Sequence, residues 1–122
     1  MTKIMPTSEA ASFSAGCVVV VKFPYSDRVA EKRRSAVVVS GAAVAQAGYV
    51  RIAMITSARN AGMSGDIPIR DFAAAGLGVA STVRPLKIAC IEPGRILRRI
   101  GALPPATAAA VFAAIHDLVG PT

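Results

Sequence analysis

The chain has no tryptophan, one histidine, two cysteines and seven acidic residues among 122 positions, and each shortage removes a class of chemistry. Aromatic residues make up 5%, too few for the multi-ring platforms on which many single-strand binders stack bases. A single histidine, His116, rules out a nuclease that divides acid and base duties between two imidazoles. A cysteine nucleophile would have to use that same histidine, which lies on a C-terminal helical pattern far from any glycine-rich turn. Cys17 and Cys90 have no metal-ligand spacing, and no cluster of His, Cys and carboxylates provides one, so neither a metal nor a cofactor is expected. Both cysteines sit in apolar runs and are expected as buried thiols; a disulfide is permitted by the count but not implied. No phosphate-cradling glycine loop is present. No apolar run reaches the length of about 18 residues that a membrane span requires. Residues 1–14 lack the apolar centre of a secretory leader, so a cytoplasmic location is the expectation.

What is present is hydrophobic and basic. Hydrophobic residues make up 53% and charged residues 17%, a balance that opposes disorder and supplies one compact core. Fourteen Lys and Arg against seven Asp and Glu give a formal charge of +7. Ten of those cations are Arg, the side chain whose planar fork suits phosphate. Such a surplus favours a polyanionic partner through counterion release, although a basic surface that serves only solubility has the same signature.

The N-terminal residues 1–15 read as a flexible polar extension and residues 16–122 as the single domain. The β-branched run Cys17–Phe23, stopped by Pro24, predicts a buried strand. Pro24–Arg34 is polar and predicts a hairpin loop. A second strand is expected over Ala36–Ser40, a connection over Gly41–Gly48 and a third strand over Tyr49–Thr56, together an antiparallel meander. A flexible loop follows at Ser57–Ser64, then a short strand at Asp66–Ile69 and a short helix at Asp71–Ala75 ended by Gly76. Ser81–Ile91 reads as a long strand with a bend or bulge at Pro85, and Arg98–Leu103 as a last strand. Pro105 at a first turn, with Gly120 and Pro121 as stop signals, frames a C-terminal helix whose apolar stripe is Val111, Phe112, Ile115, Leu118 and Val119. His116 lies beside that stripe in the final turn. Several short strands and one terminal helix predict a mainly β fold, a small curved antiparallel barrel with a helix against it.

The remaining chemistry is cationic and hydroxylic. Lys32-Arg33-Arg34 stands at the mouth of the second strand, and Thr56-Ser57 ends the third. In an up–down–up meander these two ends lie together, with Arg59 one turn further on. RNA carries its own nucleophile, the 2′-hydroxyl. A protein that cleaves it has to orient that group, neutralise a phosphorane-like transition state and assist the leaving oxygen. A guanidinium holds two phosphate oxygens and a threonine hydroxyl donates or relays a proton. On residue types alone a solvated turn is the favoured reading of the basic triplet, and the RNA site stands as the alternative at this point.

The same residues resemble the MazF/PemK family of toxin endoribonucleases. The likeness runs in order through Gly16–Asp27, Lys32–Ser40, Ala53–Ser57, Gly65–Ile69, Ala75–Leu77, Ser81–Lys87 and Ile96–Gly101. It implies an SH3-like barrel of the CcdB/PemK kind and a homodimer that cleaves single-stranded RNA or mRNA without metal. A cognate antitoxin protein is implied as partner. The family's catalytic arginine maps onto Arg34 and its catalytic threonine onto Thr56. Lys32, Arg33, Ser57, Arg59 and Arg84 are candidates for substrate contact, with an internal ion pair as the alternative for Arg84. Tyr25 and Asp27 are further positions for RNA, although turn formation also accounts for Asp27. Two departures stand out: Ser35 where the family usually has proline, beside the key arginine, and Cys17 where an acidic residue is usual. An RNA-binding module without cleavage and a DNA gyrase poison on a similar barrel are the alternative functions. The latter class typically ends in an exposed aromatic–charged tail, whereas this chain ends Gly120-Pro121-Thr122.

Overall fold

The computed structural model describes residues 13–23 and 32–119. Strands β1 (Cys17–Phe23), β2 (Lys32–Val38), β3 (Val50–Ser57), β4 (Ile67–Ile69), β5 (Ser81–Ile91) and β6 (Ile96–Ala102) form one six-stranded sheet in the order β4-β5-β3-β2-β1-β6. Every neighbouring pair is antiparallel. β1, β2 and β3 form the expected meander. The end strands β4 and β6 are not paired with each other, so the barrel expected from the sequence is open.

Alternation along the strands sends side chains to two cores. Cys17, Val19 and Val21 of β1 join Ala36, Val38, Val50 and Ile52 in one cluster. Val18, Val37, Ala53, Ile55 and Val83 face the other way and are joined by Val111 of the C-terminal helix α2 (Pro105–Val119). Each fully buried valine contributes about 1.5–3 kcal/mol relative to exposure. β-Branched residues on both faces thus explain why the strand run reads as continuously apolar. α2 packs on β4 and β5. Its stripe is buried at Val111 but exposed at Leu118 and Val119. The stop signals at Gly120 and Pro121 lie outside the described residues, as does most of the N-terminal extension. Of that extension Phe13 packs against the first core, and the Ser14 carbonyl accepts from the Cys17 amide at 3.1 Å.

Several expectations need correction. β2 begins at Lys32, four positions before the expected Ala36, because its pairing with β1 continues through Arg34↔Val21, Arg33↔Lys22 and Lys32↔Phe23. A valine-rich partner strand overrides the low strand propensity of the basic triplet. The connection after β2 contains a short helix, α1 (Ala42–Gln46), whose Ala45 is buried in the first core. Residues 71–76 form a turn closed by Gly76 rather than a helix. Its Asp71 Oδ1 accepts from the Ala74 amide at 3.2 Å. β6 starts at Ile96, two residues early. Cys90 is exposed, not buried, because the outer half of β5 has a partner on one side only, β3.

The bend at Pro85 is present. Met54 pairs with Arg84 but Ala53 pairs with Ile88, leaving Pro85, Leu86 and Lys87 unpaired opposite β3. Proline has no ladder donor, and a bulge accommodates it.

Candidate functional site

β2 and β3 pair at Val38↔Ile52, Val37↔Ala53 and Ala36↔Met54. Among the described residues their pairing stops there, although β2 runs back to Lys32 and β3 on to Ser57. Arg34 lies two positions before Ala36 and Thr56 two after Met54, so strand alternation puts both on the same face of the sheet. Where the strands part, a pocket of about 280 Å³ opens. Its lining includes Arg33, Arg34, Ser35, Thr56, Ser57 and Asn60, with Leu77, Gly78 and Val79 forming the opposite wall. The described lining carries two guanidinium groups and no carboxylate.

The Arg34 side chain is half-buried, and its Nε is buried without a hydrogen-bond partner among the described residues. An unsatisfied buried donor is unusual in a folded protein and points to an acceptor supplied from outside. Thr56 pairs across the sheet with the buried Thr82. The Thr56 Oγ1 accepts a hydrogen bond from Asn60 Nδ2 at 3.3 Å. Ser57 Oγ accepts from the Arg59 amide at 3.4 Å, capping a single 3₁₀ turn over Ala58–Asn60 that folds Asn60 back towards Thr56.

Of the sequence-derived candidates, Arg33, Arg34, Thr56 and Ser57 line one pocket. Lys32 is exposed at the start of β2 and Arg59 is exposed on the 3₁₀ turn; neither lines the pocket. Arg84 also lies outside the lining. Its Nε sits 3.4 Å from the Asp66 carboxylate and its Nη2 donates to the Asn60 carbonyl, so the internal ion pair weighed for it is present. Tyr25 and Asp27 lie outside the described residues. Sequence reasoning missed Asn60, Ser81 and the Leu77–Val79 wall. Asn60 carried no signal beyond a polar loop composition. The wall depends on Gly76, whose positive φ of 81° turns the chain there, and a Cβ at Gly76 would collide with the Ile100 carbonyl.

A larger cavity of about 550 Å³ lies at the other end of β2, between α2 and the start of α1, lined mainly by Val39, Phe112, Ile115 and Val119. It shares no residue with the Arg34 pocket, and size alone does not make it the chemical site.

Residues 14–119 match the model of a PemK-like, MazF-like toxin of type II toxin-antitoxin systems. The chain belongs to this family. Among solved structures, MazF of the MazE–MazF complex from Deinococcus radiodurans is similar at 24% identity and a TM-score of 0.70, over 89% of this chain and 97% of that one. The MazF structure from the same organism gives 25% identity and a TM-score of 0.69, over 88% and 96%. The Mycobacterium tuberculosis toxin MazF-mt6 gives 22% and 0.65, over 83% and 93%. No curated protein matches the chain. In this MazF-like toxin, no helix among the described residues is long and apolar enough to cross a membrane.

Proposed function

We propose that this toxin is an endoribonuclease that cleaves single-stranded RNA without a metal ion, with Arg34 and Thr56 at its centre. The observation that carries this reading is the buried Arg34 Nε, unpartnered among the described residues, in a pocket shared with Thr56 whose described lining holds no carboxylate. Two structural neighbours from mycobacterial species are themselves named as endoribonucleases, one of them in complex with its cognate antitoxin.

In this mechanism the RNA 2′-hydroxyl gives up its proton to solvent water as its oxygen attacks the adjacent phosphorus, the bond to the 5′-oxygen breaks, that oxygen gains a proton, and a cyclic phosphate remains on the upstream fragment. Arg34 stays protonated, so it serves as an electrostatic clamp on the non-bridging oxygens rather than as a base. The Thr56 hydroxyl donates to the phosphorane or relays a proton towards the departing 5′-oxygen. Arg33 and Lys32 hold flanking phosphates. The homodimer and antitoxin follow the family pattern, the antitoxin covering the basic groove.

The test is a long unstructured RNA incubated with the purified toxin in EDTA, followed by sequencing of the new 5′ ends. Wild type is expected to cut at a short motif, and Arg34→Ala to lower the rate at least about 100-fold. Cuts that persist in Arg34→Ala would remove the assignment. RNA binding without cuts in wild type would favour a binding module.

A further inference from the structure

A chain of four residues leads from Asp66, just before β4, to the Thr56 hydroxyl. Asp66 is the anchor, its side chain 8% exposed. Its Oδ2 accepts from the amides of Gly62 and Met63, both at 3.1 Å, and from Arg84 Nε at 3.4 Å. Arg84 leaves β5 at the last pair before the Pro85 bulge, opposite Met54, and its fork spans two acceptors. One arm faces Asp66, and the other donates to the backbone carbonyl of Asn60. Asn60 is thereby held at the end of its 3₁₀ turn with Nδ2 on Thr56 Oγ1.

The chemistry of that last contact is directional. A threonine hydroxyl has one proton to give and two lone pairs to receive with. A donor placed on the oxygen occupies one lone pair, restricts χ1 and leaves the hydroxyl proton for a third group. A free threonine at a strand end would instead return that proton to a nearby backbone carbonyl.

We propose that Asn60, held by the Arg84–Asp66 pair, is a positioning residue that fixes the Thr56 rotamer and reserves its proton for substrate. The catalytic consequence rests on the ribonuclease reading, but the positioning itself can be measured without RNA. Arg84 acts on Thr56 through Asn60.

The experiment uses full-length toxin with labelled threonine methyl groups. Three-bond couplings from the Thr56 γ-carbon to its backbone nitrogen and carbonyl report χ1. Wild type is expected to show one staggered rotamer. Asn60→Leu keeps the volume but has neither donor nor acceptor, and averaged couplings are expected. Arg84→Lys keeps a charge against Asp66 but gives up the fork, and a partial shift in the same direction is expected. In cleavage assays both variants are expected to lose about tenfold in kcat with KM within about twofold of wild type. Arg70→Ala, an exposed change outside this network, serves as the control. An unchanged Thr56 rotamer in Asn60→Leu overturns the proposal, whether or not wild type cleaves. An inactive wild type with the expected coupling change would instead overturn the ribonuclease reading and leave the positioning supported. A loss confined to KM would show Asn60 to be a binding contact and overturn the positioning role.

Discussion

Burying the Arg34 Nε without an acceptor among the described residues costs the folded toxin about 1–3 kcal/mol, a cost that a phosphate oxygen would relieve in the proposed ribonuclease. The residue is therefore expected to trade stability for activity. Arg34→Met, which keeps the length and drops the donor, is expected to raise Tm by about 4 °C while abolishing cleavage, as read by calorimetry and the RNA assay together. Thr56 is expected to tolerate Ser better than Val: Thr56→Ser keeps the hydroxyl, whereas Thr56→Val removes the donor and about 10- to 100-fold in kcat. The two thiols should also separate cleanly. Burial pushes the Cys17 thiol above its ordinary value of 9.0, against the lowering influence of nearby Arg99, while Cys90 lies open to solvent. A disulfide reagent is expected to titrate Cys90 in the native toxin and Cys17 only after unfolding. Because the folded state holds the Cys17 proton more tightly than the unfolded chain, its contribution is complete below about pH 9 and falls as pH rises further. Wild type should therefore lose stability on the alkaline side faster than Cys17→Ala.

Among the elements, the close approach of the 71–76 turn to β6 is the most demanding contact. A Cβ at Gly101 would sit 2.5 Å from the Ala75 carbonyl carbon, so backbone meets backbone and no side chain can yield. Gly101→Ala is expected to cost about 2–3 kcal/mol in urea unfolding and to disturb the Leu77–Val79 wall of the pocket. This contact also shows what was legible in the sequence. β1, the meander, the bend at Pro85 and α2 follow from runs of β-branched residues, a missing donor and helix punctuation, all of which are local. The start of β2 was not legible, since Lys32, Arg33 and Arg34 belong to the sheet only because Phe23, Lys22 and Val21 pair with them. The pairing of strand ends brought Arg34 and Thr56 together on paper, and the family resemblance gave them roles. Asn60, and Asp66 as the partner in the ion pair weighed for Arg84, stayed hidden because they depend on one 3₁₀ turn and one guanidinium conformation, neither of which has a periodicity.

For the molecule as a whole, the proposed ribonuclease function together with a charge of +7 predicts an association with RNA that is sensitive to salt. If Lys32, Arg33 and Arg34 each neutralise one phosphate, they contribute a slope of about −2 to log K against log salt. Arg33→Ala is expected to flatten the measured slope by about 0.7 while changing cleavage-site choice little.

The strand register carries a practical consequence for anyone who wants to handle this protein. Arg34 and Thr56 owe their proximity to a ladder that starts at Val38↔Ile52, not to the peptide that joins the two strands. That peptide, residues 39–49, turns at the far end of the ladder from the pocket, and Gln46 and Ala47 within it are exposed. A fluorophore or an affinity sequence introduced between Gln46 and Ala47 would leave the ladder intact. The poison could then be tracked in living cells without first being disarmed.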